Sequence, residues 1–173
     1  GKIFDRNGVL LASTIKTYSL YVHPNKLSDT NNISEKLGKI LLIPSNKIKS
    51  KLSKNKNFEY IKRNISPREH QQIINLGEID LQTEIENSRI YPLRETTSHV
   101  VGFTNIDNMG LSGIERGLEE KLASGENVYL SIDTRLQTVV RNELIKTIKK
   151  FSAELGLSIV LEINSGQILS MVN

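Results

Sequence analysis

The chain has no cysteine, no tryptophan and only 4 prolines in 173 residues. Without cysteine there is no disulfide framework, no thiolate nucleophile and no cysteine-based metal site. Aromatic residues make up 5% of the sequence. The core must therefore rest on Ile, Leu and Val, and an aromatic-lined ligand pocket is not expected. No run approaches the roughly 20 apolar residues that a membrane helix needs. The opening Gly1-Lys2-Ile3-Phe4 carries no signal-like hydrophobic stretch, so the chain is expected to be soluble or to begin inside a longer protein.

What is present is the composition of a soluble globular protein, 38% hydrophobic and 24% charged, long enough for one ordinary domain or two small ones. Lys and Arg number 23 against 19 Asp and Glu, a net charge of +4. Lys47, Lys49, Lys51, Lys54, Lys56, Lys62 and Arg63 crowd one stretch, a candidate face for nucleic acid or anionic lipid. No aromatic residue interleaves with these lysines before Phe58, which favours a solvated face.

The pattern predicts a mixed α+β chain without internal repeats. Asp5-Arg6-Asn7-Gly8 reads as a turn, and Val9 to Ala12 and Tyr18 to Val22 as strands joined in a hairpin or ladder. Leu37, Ile40 and Leu41, then Ile48 and Leu52, have helical spacing. Phe58 to Ile65 and Ile79 to Ile85 alternate like strands. Between them Ser66-Pro67-Arg68-Glu69 has the form of a capping box with proline at the first helical position. A helix of about three turns is expected from Ile114 to Leu122 and a strand from Val128 to Ile132. Thr134 with Gln137 forms a second capping box for a long helix. Leu136, Val139, Val140, Leu144, Ile145, Ile148 and Phe151 mark its buried stripe. Two runs around Asn164-Ser165-Gly166 predict a terminal hairpin, the opening of a sheet left incomplete with an exposed edge.

A search for chemistry finds two Ser-x-x-Lys matches, Ser13 with Lys16 and Ser53 with Lys56, in which a lysine one helical turn away could take the serine proton. The first lies in an extended stretch, where positions three apart face opposite ways; the second has no apolar wall to depress an amine pKa. His23, His70 and His99 lack ligand spacing. No metal or cofactor is expected, and His70 is read as a surface residue.

Four segments, in order, carry a resemblance. Gly1 to Ala12, with Asp5-Arg6-Asn7-Gly8, resembles the start of the extracytoplasmic part of class B penicillin-binding proteins. Arg89-Ile90-Tyr91-Pro92 is similar to their R-x-Y-P element, and Gly110-Leu111-Ser112-Gly113-Ile114-Glu115 to their G-x-x-G-x-E element. Leu130 to Gln137 resembles the linker into the transpeptidase domain, and Gly156 to Asn173 that domain's first two strands. His99-Val100-Val101-Gly102-Phe103-Thr104-Asn105 is more similar to the septal, FtsI-type members than to the elongation type. Two departures stand out: Arg94 replaces the glycine that many members have after R-x-Y-P, and Leu122 to Val128 is shorter than in many members.

The resemblance implies an irregular pedestal, or dimerisation-type, domain over residues 1–125. Residues 126–173 are then the linker and truncated start of a transpeptidase domain. It implies a scaffold that holds a D,D-transpeptidase at the periplasmic face of the bacterial cytoplasmic membrane. Its partners would be division proteins, including a SEDS-type glycan polymerase. The family's nucleophilic serine lies beyond the position equivalent to Asn173, so this chain is expected to be non-catalytic, an expressed fragment of a membrane-anchored parent that binds peptidoglycan precursors and β-lactams through the missing domain. Arg6, Arg89 and Glu115 are expected as ionic anchors, Gly8, Gly110 and Gly113 as turn formers, and Tyr91 and Pro92 as parts of the same structural motif. The open strand edge offers a route to a homodimer. Two other readings follow from the residues alone: a serine acyl hydrolase using Ser53 and Lys56, and a basic nucleic-acid-binding module, although no nucleic acid is expected as a partner.

Overall fold

A computed structural model of the chain describes residues 1–27, 29–53 and 56–173. They fall into two compact units, one formed by Gly1–Ile15 with Arg89–Asn173 and the other by Lys16–Ser88. The elements in chain order are β1 (Ile3–Phe4), β2 (Leu10–Val22), α1 (Thr30–Leu41), α2 (Ser45–Leu52), β3 (Glu59–Ile65), α3 (Pro67–Ile74), β4 (Leu81–Ile90), α4 (Ser98–Val101), α5 (Gly113–Gly117), α6 (Glu119–Ala123), β5 (Val128–Tyr129), α7 (Thr134–Phe151), β6 (Ser158–Leu161) and β7 (Ile168–Val172).

In the 16–88 unit, β3 runs antiparallel to β2, with Tyr18 opposite Ile65 and Val22 opposite Glu59. Ile33, Leu37 and Leu41, four residues apart on α1, face Leu20, Val22, Ile48, Leu52, Ile61, Ile65 and Ile73 in one buried cluster. Each such side chain contributes roughly 1.5–3 kcal/mol by burial. Helix α3 starts as expected: Ser66 Oγ accepts from Glu69 N at 3.2 Å, and Glu69 Oε2 accepts from Ser66 N at 2.7 Å. Burial alone would raise the Glu69 pKa, but Lys62 and the Ser66 donors outweigh it and hold it below its usual value. His70 is half-buried rather than fully exposed. It stacks on Tyr18 with ring centroids 3.6 Å apart, and Nε2 pairs with Thr83 Oγ1 at 3.0 Å.

In the other unit the short β1 is the centre. Ile3 and Phe4 pair antiparallel with Ala12 and Leu10 and parallel with Val128 and Tyr129. Ile3, Leu11, Ala12, Val101, Leu122 and Val128 form its core, with Tyr91, Leu93 and Ile114 packed against it.

Four expectations are corrected here. Residues 10–22 form one strand and not two joined by a turn, because Leu11 to Val22 contains no Gly, Pro, Asn or Asp to bend it. The helix expected from Ile114 to Leu122 is broken at Leu118, which follows Gly117 and leaves helical geometry at φ −123°. The N-cap of α7 is Asp133, whose side chain accepts from Arg135 N at 3.0 Å; Thr134 is not the cap, because its hydroxyl is committed to Asp5. The Arg135 guanidinium holds the Asp133 carboxyl far below the usual range, against a smaller effect of burial. Finally, the apolar stripe of α7 is only partly buried: Leu136, Val140, Leu144, Ile145 and Ile148 are half-buried. Val139 and Phe151 are 59% and 69% exposed, and only Thr134 and Gln137 are fully covered. The terminal hairpin forms, with Ile159 opposite Met171 and Leu161 opposite Ile168, but Leu157, Ile159, Leu161 and Ile163 are all exposed.

Candidate functional site

The residues of the family-like motifs lie in the 1–15/89–173 unit, in two groups: the Asp5–Gly8 turn against the start of α7, and Arg89 paired with Glu115. Asp5 is completely buried at the start of the Asp5-Arg6-Asn7-Gly8 turn. Its Oδ1 accepts from Asn7 N and Val9 N, both at 2.8 Å, and its Oδ2 accepts from Thr134 Oγ1 at 2.8 Å and Thr134 N at 3.2 Å. Burial would raise its pKa; these donors outweigh burial and hold the carboxyl below its usual value. Gly8 adopts φ +80° to close the turn. Arg6 is not an ionic anchor. Its side chain is exposed and makes no ion pair among the described residues, while its backbone N–H donates to Ile132 O at 3.0 Å. The anchor of this turn is its neighbour, Asp5. An Asp at the first position of a turn is a recognisable signal, but burial against a helix 129 residues away is not.

Arg89, at the end of β4, and Glu115, in α5, do form a pair. Arg89 Nε lies 2.7 Å from Glu115 Oε1, with side chains 5% and 3% exposed. Arg89 Nη1 also donates to Gly1 O at 2.6 Å and to Thr14 Oγ1 at 3.2 Å. Nη2 is buried with no hydrogen-bond partner among the described residues. Next along the chain, Tyr91-Pro92-Leu93-Arg94 is a turn closed by Arg94 N donating to Tyr91 O at 3.1 Å, with proline at the position that favours its fixed φ. The Tyr91 hydroxyl accepts from Thr104 N at 3.1 Å; burial raises its pKa. Arg94 holds φ +39°. The left-handed geometry that suits glycine is therefore kept although the glycine is absent, at the expense of backbone strain.

Gly110 and Gly113 serve close approach as well as conformation. A Cβ at Gly110 would stand 2.2 Å from Glu115 O. Gly113 has φ +58°, and a Cβ there would meet Gly102 N and Val100 O at 2.7 Å. The backbone leading into Glu115 is thus packed too tightly for a side chain at either glycine, which helps to fix the carboxylate in front of Arg89.

The candidate nucleophiles are not assembled. Ser13 is buried and Lys16 exposed. Ser53 Oγ donates to Ser50 O at 3.4 Å, whereas Lys56 Nζ is bound to Glu59 at 3.0 Å. Of the basic stretch, Lys54 lies outside the described residues. Lys51 donates to Tyr60 O and Ile61 O, Lys62 pairs with Glu69, and Arg63 pairs with Glu86. Much of this charge is used within the fold. Among the described residues no cluster of His, Asp and Glu could hold a metal ion, and no helix is long and apolar enough to cross a membrane.

Residues 1–161 match the family model of the penicillin-binding protein dimerisation domain. The chain is 33% identical over 179 residues to the probable peptidoglycan D,D-transpeptidase FtsI of Caulobacter vibrioides, and 30% identical over 205 residues to the probable peptidoglycan D,D-transpeptidase PenA of Neisseria meningitidis. It is 28% identical over 206 residues to the peptidoglycan D,D-transpeptidase FtsI of Escherichia coli. Each alignment covers 100% of this chain but only 30%, 35% and 35% of those proteins, so the chain spans about a third of their length. The solved peptidoglycan synthetase of Bifidobacterium adolescentis has the same fold over 99% of this chain and 42% of its own, with a TM-score of 0.59 at 20% identity.

Proposed function

Because the chain belongs to the penicillin-binding protein dimerisation-domain family, we propose that it is the non-catalytic pedestal of a septal peptidoglycan D,D-transpeptidase, with the first two strands of that enzyme's catalytic domain attached. The observation that carries this reading is the family match over residues 1–161. In this reading the boundary lies near residues 125/126, between α6 and β5.

In this reading Arg89, Tyr91, Pro92, Gly110, Gly113 and Glu115 are architectural, and Asp5 takes the role first expected of Arg6. The exposed apolar surface of α7 and β6 is where the rest of the catalytic domain packs. The parent is anchored in the cytoplasmic membrane with this part on its periplasmic side, and binds peptidoglycan precursors and β-lactams through the catalytic domain. Division proteins, a SEDS-type glycan polymerase among them, engage the pedestal. Pairing of hairpins between two copies would use β6, which pairs only with β7 among the described residues.

Hydrogen exchange tests the packing of α7 and β6. The outward amides of Ser158–Leu161 should exchange rapidly in this chain and be protected in the gene product that contains it. Equal exchange in both would mean that no catalytic domain completes the sheet.

A further inference from the structure

Gln137, expected to cap its own helix, instead points into the unit and is 1% exposed. Its Oε1 accepts from Met171 N and from Ser170 Oγ, both at 2.9 Å. Its Nε2 donates to Met171 O at 2.6 Å and to Thr96 O at 3.0 Å. Both donors and both acceptor sites of the amide are therefore used. Holding the N–H and C=O of one residue together is what a neighbouring strand does to its partner. Gln137 thus replaces a strand along the outer edge of β7. Its neighbours extend the cover: Leu169 O accepts from Asp133 N at 2.9 Å, and Ile168 O from Ser131 Oγ at 2.7 Å.

The remaining partner, Thr96, closes the 3₁₀ turn Arg94–Thr96 that follows Pro92. One NH₂ group therefore holds both that strained turn and β7. The amide is planar. If Thr96 O moves and Nε2 follows, Oε1 swings off Met171 N, and a buried polar group loses its partner.

We propose that Gln137 is a positioning residue that couples the turn at residues 91–96 to the edge of β7. This rests on reading β7 as a strand of the catalytic domain, whose placement is then set from the pedestal through Gln137. A satisfied core amide without this role would leave turn and strand responding independently.

The test is backbone amide exchange by NMR on the wild-type chain, Arg94→Val, Gln137→Glu and the double variant. Valine at φ +39° is strongly disfavoured and drives the turn out of its geometry. Glutamate keeps oxygen acceptors but removes both donors. Arg94→Val should speed Met171 exchange about tenfold when Gln137 is present, and less than about twofold when it is Glu. The same factor in both backgrounds, or no effect at Met171, overturns the proposal. Should Arg94→Val unfold the chain, Arg94→Gly carries the test with opposite sign: slower Met171 exchange, again only with Gln137. Failure here leaves the family reading intact, because protection of β6 in the larger protein does not depend on Gln137.

Discussion

Asp5 binds four donors while completely buried, and two of them come from the start of α7. Replacing it with Asn leaves one oxygen where two are needed and turns an amide N–H₂ against Thr134 N–H. Asp5→Asn should destabilise the chain by about 2–3 kcal/mol, read from urea denaturation. The pH dependence has a definite sign. The folded pKa lies below the unfolded value of about 3.9, so this contribution is fully present above that pH and fades as pH falls through the folded pKa. The variant should lack that part of the acid sensitivity. Arg94 makes the opposite prediction: Arg94→Gly relieves a left-handed backbone on an exposed residue and should stabilise by about 1 kcal/mol. For the buried pair, Glu115→Ala should cost about 3–5 kcal/mol by stranding Arg89, whereas the double change Arg89→Met with Glu115→Leu should cost less than that single change in the same denaturation assay. The Arg89–Glu115 pair was legible only because two short motifs occur in a known order. Asp5 and Gln137 were not, because burial against distant backbone leaves no local pattern.

Among the elements, α3 carries its start signals within one turn, and the structure matches the expectation there. The Ser66 cap, Pro67 and Glu69 lie within one turn, and the helix starts where they place it. At α7 a competing partner decides the outcome. Thr134 has a capping residue's chemistry but donates to Asp5, so Asp133 caps α7 instead. Periodicity marked an apolar stripe on α7 but could not say whether this chain supplies the surface to cover it. Since Val139 and Phe151 stand 59% and 69% exposed, Val139→Lys and Phe151→Lys should each change the stability of this chain by no more than about 0.5 kcal/mol. Buried positions would lose several times that, and thermal denaturation separates the two cases.

For the whole molecule, the α+β class was visible in the alternation of helical and strand periods. The division into two compact units was not: Lys16–Ser88 lies in sequence between the two segments of the other unit, and both crossings fall inside strands, β2 and β4, with no linker-like run to mark them. The family was legible through the ordered motifs alone, since nothing in charge, histidine spacing or the Ser-x-x-Lys matches points to it. The central claim is that these residues support a transpeptidase without containing its nucleophile. Its most direct test is incubation of this chain, and of the gene product that includes it, with a fluorescent penicillin, followed by intact mass measurement. A single acyl adduct on the larger protein and none on this chain is the predicted result. A stoichiometric adduct on this chain, at Ser13, Ser53 or any other serine, would contradict it.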